Sequence, residues 1–267
     1  MTKRRFHWKQ RPRTPTKRFK PHTQLITVGY RHTRTTGVVV FLKLLIVADV
    51  HGDFEMLEKL IERVHGEKFD AVICPGDFTD MFSIPKEFSQ MDIANLVIQK
   101  LLALGSPLLC VPGNHDPYEI IELFDEYGVN LHAKTKQLQD TRFVGWGGAL
   151  TPFNTIFEPA DSETKEALGL LGKKTKPGRF VLVTHDPPKN TNVDKTASGS
   201  HVGSAAIREF IEKNQPLLAL SAHIHESPGT DKLGSTQIFY PGAVFSGSYG
   251  IVHMNGSGIR CETKKFE

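Results

Sequence analysis

Five short apolar runs, each followed at once by a polar cluster, constrain the fold of this chain more than any other feature. The runs are Leu42–Ala48, Ala71–Cys74, Leu108–Val111, Phe180–Val183 and Leu217–Leu220. Runs of this length are typical of buried strands, and the stretches between them carry helical spacing of apolar residues, as in Asp53–His65. The alternation indicates βαβ units. The chain is therefore predicted to form a layered α/β fold, with extra antiparallel strands toward its C-terminus.

The polar clusters that follow these runs predict one common site. They are Asp49-Val50-His51, Gly76-Asp77, Gly113-Asn114-His115-Asp116, His185 and His223-Ile224-His225. Together they supply three carboxylates, one asparagine amide and five of the chain's 12 histidines. Polar groups at the C-terminal ends of parallel strands face the crevice where open α/β sheets bind their ligands.

The chemistry of this set indicates a metal centre. Carboxylate, amide oxygen and imidazole, without a thiolate, suit Mn, Fe or Zn better than a Cys-rich structural zinc site. A pair of ions roughly 3.5–4 Å apart holds a phosphoryl group and activates water. Such a pair needs a bridging carboxylate, and Asp77 is central among the clusters.

Each cluster taken alone has an ordinary structural explanation. Asp49 before Gly52 is typical of a turn, and a lone histidine such as His185 is usually a core residue. His223 and His225 would face opposite sides of a regular strand, so they converge only if this segment turns. Asp80 is either a supporting partner of the site or a loop residue.

In this order, the clusters resemble the motifs of the calcineurin-like metallophosphoesterase superfamily over about residues 41–255. The stretch 201–204, followed by a helix and then residues 223–227, is similar to a branch of predicted phosphoesterases related to the Icc cyclic-nucleotide phosphodiesterases. The resemblance implies a four-layer α/β/β/α sandwich. It also implies a dinuclear-metal-dependent phosphoesterase, with a phosphodiesterase favoured, that hydrolyses a small nucleotide-like phosphodiester through attack of a metal-bridging hydroxide.

The resemblance further implies roles for individual residues. It assigns one metal to Asp49, His51, Asp77 and His225. It assigns the other metal to Asp77, Asn114, His185 and His223. His115, oriented by Asp116, would contact phosphate and protonate the leaving oxygen. His201 and Ser204 are further candidates for substrate contact, with helix capping by Ser204 as the alternative. Mn²⁺ is the expected metal, with Fe and Zn as alternatives.

Two positions depart from the family pattern. Ser221-Ala222 stands where relatives carry glycine before the first histidine of His-x-His, and Pro241-Gly242-Ala243 replaces Pro-Gly-Ser. The methyl group of Ala222 is expected to be tolerated if its backbone is not in a glycine-only conformation. Neither change removes a ligand.

The charge of the chain is unevenly distributed. Of its 33 Lys and Arg, 11 lie in residues 1–37, which contain no acidic residue, so the remainder holds 22 basic against 29 acidic residues. The acidic remainder, residues 38–267, is predicted to be the phosphoesterase domain. The basic leader is predicted to lack stable structure. It is interpreted as an artefact of start-codon choice, with a nucleic-acid-binding arm or a transit peptide as alternatives.

Location and rival functions complete the sequence-based expectations. No apolar stretch approaches the ~20 residues of a membrane helix, and cleavage after Gly37–Ala48 would remove the first strand. With three cysteines outside any metal-motif spacing, a cytoplasmic protein with reduced thiols is expected. The substrate partner is expected to be a small phosphodiester or nucleotide, with nucleic acid only if the leader is native. A phosphomonoesterase, a nuclease and a non-catalytic metal-binding scaffold remain alternative functions, and the oligomeric state is left open.

Overall fold

A computed structural model describes residues 41–255 and 258–266 of the chain. The leader expected at residues 1–37 lies outside this part. The described residues form eleven strands, five α-helices and one short 3-10 helix at Val244–Ser246. Among these helices, none has the length and apolar character needed to cross a bilayer.

The strands and helices alternate through most of the chain. The strands are β1 (Leu42–Ile46), β2 (Ala71–Cys74), β3 (Leu108–Cys110), β4 (Lys134–Leu138), β5 (Thr141–Trp146), β6 (Phe180–Thr184), β7 (Leu218–Leu220), β8 (Gly229–Leu233), β9 (Thr236–Tyr240), β10 (Ser248–Asn255) and β11 (Gly258–Lys265). The helices are α1 (Phe54–Arg63), α2 (Gln90–Leu102), α3 (Ile120–Glu126), α4 (Asp161–Gly172) and α5 (Ala205–Asn214). The five predicted strands are therefore confirmed, with ends that differ by at most two residues.

The strands form two mixed sheets. One sheet has the order β11-β10-β1-β2-β3, and the other has the order β4-β5-β6-β7-β9-β8. Strands β1, β2 and β3 pair in parallel, as do β5, β6, β7 and β9, while β10 and β11 add antiparallel pairs at one edge. Parallel pairing places the C-terminal ends of β1, β2 and β3 together, and likewise those of β6 and β7.

Three apolar clusters separate four layers. Alternate residues of β1 face opposite ways: Leu44 and Ile46 pack toward the second sheet with Val181 and Leu220, whereas Leu45 packs toward α1 and α2. The outer face of the second sheet packs against α4 and α5. These packing layers confirm the expected α/β/β/α sandwich. Both faces of each sheet are buried because successive side chains of a strand point to opposite faces.

The main differences from the sequence-based expectations lie at polar elements. Apolar Val129 and Leu131 belong to no strand, and only isolated bridges occur in this stretch, at Asn130 and His132. Strands β4 and β8 were not predicted because they are polar edge strands without an apolar run. Helix α2 begins after Ser89, because the Ser89 hydroxyl accepts a hydrogen bond from the backbone of Asp92 and caps the helix.

Candidate metal centre

The candidate ligands lie in tight turns that begin where the strands end. Asp49, His51, Asp77 and His223 all have positive φ values, between 50° and 77°. This left-handed region is uncommon for residues other than glycine and is often found at functional sites. The turn at His223 also explains how His223 and His225 converge, because β7 has already ended at Leu220.

One group of donor atoms gathers around the carboxylates of Asp49 and Asp77. Single ligand atoms of Asp49, His51, Asp77 and His225 all lie within 4.8 Å of one another. The Nε2 atoms of His51 and His225 are buried and have no hydrogen-bond partner. Each of these nitrogens faces a carboxylate oxygen without a hydrogen bond, His51 toward Asp77 at 3.3 Å and His225 toward Asp49 at 3.7 Å, and a bound cation would satisfy both.

A second group shares Asp77 with the first. Ligand atoms of Asp77, His185 and His223 also lie within 4.8 Å of one another. The Oδ2 atom of Asp77 lies 3.3 Å from the Nε2 of His51 on one side and 3.3 Å from the Nε2 of His185 on the other. Asp77 is thus the carboxylate that joins the two groups.

The surroundings of His185 favour a cation between its ring and the neighbouring oxygens. Its Nδ1 lies 2.9 Å from the carbonyl oxygen of Pro75, and because a carbonyl oxygen only accepts hydrogen bonds, Nδ1 carries the proton. In the neutral ring the Nε2 lone pair then faces two acceptors, Asn114 Oδ1 at 2.9 Å and Asp77 Oδ2 at 3.3 Å. A proton or a metal ion is needed to hold these three atoms together. The donor set therefore fits divalent metals.

Protonation at the site is set by burial and by the mutual charges of these groups. Burial opposes ionisation of Asp77, yet the charges of His185 and His51 lower its pKa well below the usual range. Burial works to lower the pKa of His185, but Asp77 outweighs it and raises that pKa to about 9. His223, buried and close to His185, has its pKa lowered to about 3. An ionised Asp77 and a neutral His223 are both in the form that binds metal.

His115 lies beside the donor groups, but its ring partner is not the one expected. Its Nδ1 lies 3.1 Å from Asp80 Oδ1, and its ring centroid lies 4.9 Å from that of His51. The expectation that Asp116 orients this ring is wrong. The Asp116 carboxylate instead accepts hydrogen bonds from the backbone amides of Gly113, Phe78 and Thr79. Asp116 thus holds the loop that carries His115, and Asp80 holds its ring.

The two candidates for substrate contact lie elsewhere. The Nδ1 of His201 lies 2.6 Å from the buried carboxylate of Asp194, within the loop before α5. The Ser204 hydroxyl accepts from the amide of Ile207 as the N-cap of α5 and donates to Asp161. Neither residue lines the cleft beside the donor groups. His201 forms its hydrogen bond within the loop. Ser204 caps helix α5, which is the alternative given for this residue.

The two departures from the family pattern do not force alanine into a left-handed backbone conformation. Ala222 is fully buried and is not among the residues with positive φ, whereas His223 is. The backbone of Ala222 is therefore not in a glycine-only conformation, so the methyl group of Ala222 is tolerated as expected. At the second position the left-handed residue is Gly242, with φ 92°, and Ala243 follows it.

Several supporting residues carried no signal in the sequence. The Tyr240 hydroxyl donates to Asp49 Oδ2 at 2.8 Å, and Tyr240 is fully buried at the end of β9. Gln90 donates to the carbonyl oxygen of His115 at 2.8 Å, and the Asn114 amide donates to Thr155 at 3.1 Å. These contacts join segments that are distant in the chain, so no local sequence pattern reveals them. The only available signal was that the supporting residues lie near a strand end or in a loop.

An open cleft of about 760 Å³ adjoins the first donor group. His51, His115 and His225 form its polar wall, and aromatic side chains from three separate segments form much of the rest. The aromatic lining residues are Phe54, Phe82, Phe88 and Phe245. This is the place from which a substrate would reach the candidate ligands.

The chain is similar to several known proteins in sequence or in fold. The chain is 34% identical to an uncharacterized protein of Methanocaldococcus jannaschii over 211 residues, which are 76% of this chain and 89% of that protein. Its fold is similar to that of a protein of Thermus thermophilus (TM-score 0.64, 20% identity, 85% of this chain and 100% of the other). It is also similar to a dimetal phosphatase of Danio rerio (TM-score 0.58, 13% identity, 85% and 99%).

Residues 42–227 match the family model described as calcineurin-like phosphoesterase. That span contains every strand end that carries a candidate ligand, from Asp49 to His225. The chain belongs to the calcineurin-like phosphoesterase family.

Proposed function

We propose that this protein is a dinuclear metal-dependent phosphodiesterase that acts on a small phosphodiester. The observation that carries the proposal is the position of Asp77, whose Oδ2 lies 3.3 Å from imidazole nitrogens of both donor groups. One group would comprise Asp49, His51, Asp77 and His225. The other would comprise Asp77, Asn114, His185 and His223. When bound, a pair of divalent ions supplies Lewis acidity at the phosphoryl group and lowers the pKa of water.

His115 is the side chain placed to handle the proton of the leaving group. It lies on the cleft wall beside His51, and its Nδ1 contacts the Asp80 carboxylate, which leaves Nε2 as the other position for a proton. An imidazole held in this way can donate from Nε2 to the oxygen that departs from phosphorus. Asp80 acts on the reaction through the orientation of this ring.

The charge of the cleft favours a diester over a monoester. Among the described lining residues, the carboxylates are Asp53, Glu58 and Asp80, and the lysine or arginine is Lys100. The Lys100 ammonium is already paired with Glu58 at 2.6 Å. A monoester dianion would find no free cationic side chain here and would depend on the metal ions alone to compensate its second charge, whereas a diester brings one negative charge only.

Mn²⁺ is the metal we favour. The proposed ligands offer hard carboxylate and amide oxygens together with imidazole, and no cysteine is among them; Cys74, Cys110 and Cys261 are free. Mn²⁺ accepts such mixed oxygen and nitrogen sets. Iron and zinc also bind such mixed ligand sets, so the experiment compares all three metals.

The test compares two chromogenic substrates. Protein stripped with a chelator is assayed on bis-p-nitrophenyl phosphate and p-nitrophenyl phosphate, without metal and with added Mn²⁺, Fe²⁺ or Zn²⁺. We expect metal to restore hydrolysis, with a higher kcat/KM for the diester. Faster hydrolysis of the monoester would replace this proposal by a phosphomonoesterase. No hydrolysis of either substrate with two metals bound would support a scaffold.

A further inference from the structure

The cleft beside the donor groups combines aromatic walls with a shortage of cationic side chains. Phe82, on the loop before α2, is 67% exposed, although it lies at the site: its ring centroid is 5.4 Å from that of His115. Phe88, on the same loop, is 45% exposed. Large apolar side chains exposed together at the rim of a cleft mark a place where a ligand or partner covers them.

Elsewhere along the cleft, Phe245 packs against the candidate ligands themselves. Its ring centroid lies 5.3 Å from that of His51 and 4.8 Å from that of His225, in edge-to-face arrangements. Phe82 and Phe245 therefore flank the three histidines that face the cleft. A phosphoryl group held at these histidines would have its organic substituent beside aromatic side chains.

The charges along the cleft exclude a second anionic group on that substituent. The single lysine of the described lining, Lys100, is held by Glu58, and the other charged lining residues are Asp53 and Asp80. A pyrophosphate or a carboxylate placed here would lose its hydration without gaining a free cation. An uncharged substituent beyond the reacting phosphorus would avoid this cost.

From these observations, which extend the proposed phosphodiesterase function, we infer that the cleft is a subsite for a planar aromatic group, of the kind carried by a nucleobase or an aryl ester, attached to a single phosphoryl group. Aromatic faces favour planar rings through stacking and edge-to-face contact. A cleft of about 760 Å³ has room for a nucleoside-sized substituent. Phe82 is then a specificity-determining residue.

The experiment measures binding, so that it does not depend on turnover. Metal-loaded protein is titrated calorimetrically with the monomethyl esters of methylphosphonate, phenylphosphonate and cyclohexylphosphonate, which carry the single negative charge of a diester, differ only in the group attached to phosphorus, and are named below by the phosphonate alone. We expect phenylphosphonate to bind roughly 10-fold more tightly than methylphosphonate, as expected for one stacked ring. Cyclohexylphosphonate should bind more weakly than phenylphosphonate, because it is apolar without being planar. A 4-carboxyphenylphosphonate should also bind more weakly, because of its added charge.

Two variants locate the effect. Phe82→Ala should lower the ratio of phenylphosphonate to methylphosphonate affinity several-fold. Phe41→Ala is the matched control: Phe41 is 68% exposed, beside the start of β1 and thus at the strand end away from the site. It should leave the ratio unchanged.

The outcomes separate this inference from the proposed function. Equal affinities for the methyl and phenyl compounds, or a ratio untouched in Phe82→Ala, would overturn the aromatic subsite while leaving a metal-dependent phosphodiesterase intact. Equal binding of the cyclohexyl compound would show a merely apolar subsite, and tighter binding of the carboxylate would refute the exclusion of a second anion. Failure of every phosphonate to bind would overturn the aromatic subsite, and metal-dependent hydrolysis of bis-p-nitrophenyl phosphate would then decide separately whether the proposed function stands.

Discussion

Removing a single hydroxyl from Tyr240 should weaken the metal centre without unfolding the protein. The Tyr240 hydroxyl donates to Asp49 Oδ2 at 2.8 Å, while Asp49 Oδ1 is 3.3 Å from the amide of His223. Burial, reinforced by the negative charge of Asp49, raises the pKa of Tyr240, so the phenol keeps its proton and donates. Phenylalanine fills the same space but leaves Asp49 Oδ2 without this donor.

The size of the effect follows from the kind of hydrogen bond. Hydrogen bonds to charged groups contribute about 1.5–3 kcal/mol, which corresponds to roughly 10–100-fold in an equilibrium constant. Loss of a group that orients a metal ligand costs a similar factor in metal affinity. We therefore expect Tyr240→Phe to weaken binding of the metal that Asp49 holds by about that factor.

The measurement is competition for Mn²⁺ between the protein and a chromogenic chelator. Tyr127→Phe provides the control, because it removes a hydroxyl that donates to Asn95 at 2.7 Å, at the C-terminal end of α3. Tyr127→Phe should bind metal as the wild type does. If Tyr240→Phe also keeps wild-type metal affinity, the assignment of Asp49 as a ligand oriented by Tyr240 is refuted.

Three further predictions concern catalysis, metal content and pH. His115→Ala should retain both metals and lower kcat for bis-p-nitrophenyl phosphate by ~10²-fold or more; unchanged turnover would remove its role as proton donor. Asp77→Asn should reduce occupancy of both metals, since it joins the two groups, and elemental analysis that still finds two tightly held ions would disprove the bridge. Largely buried His132 accepts a hydrogen bond from Gly147 at 2.9 Å, and burial lowers its pKa from 6.5 to about 4. Below pH 6.5 the unfolded chain therefore binds more protons than the folded one, and the free energy of unfolding should fall by about 3 kcal/mol between pH 6.5 and 4. Urea denaturation should show this fall in the wild type but not in His132→Gln. The same pH dependence in both proteins would contradict the prediction.

Much of the fold was predictable because it follows from local patterns. The apolar run before Asp49 predicts a strand buried on both faces, and β1 contributes residues to both the layer between the sheets and the layer under the helices. Polar edge strands gave no such pattern. The strand Lys134–Leu138 contains a single apolar residue, and its pairing depends on the neighbouring strand Thr141–Trp146. Edge pairing is decided by the partner strand more than by propensity.

The identity of the candidate ligands was also predictable, but their supports were not. Asp77 and His185 follow apolar runs, so the sequence alone places each at a strand end. The partner of the His115 ring was predicted wrongly, because the adjacent Asp116 accepts hydrogen bonds from the amide of Gly113 in its own loop and from two amides of the loop that begins at Asp77. Asp80 fills that role from 35 residues away in the chain. Both Asp80 and Asp116 could pair with the His115 ring, and only the conformation of the folded loops determines which carboxylate does so.

The sequence by itself determined the α/β class, the strand ends that carry donors, and the oxygen and nitrogen chemistry of the site. These properties depend on residue type and on periods of two or 3.6 residues. Only the tertiary structure decided that Tyr240 supports Asp49, 191 residues away, and that the ring of Phe82 meets His115 while the ring of Phe245 meets His51 and His225. Such contacts arise from the packing of separate layers, and packing between residues far apart in the chain leaves no local pattern to find.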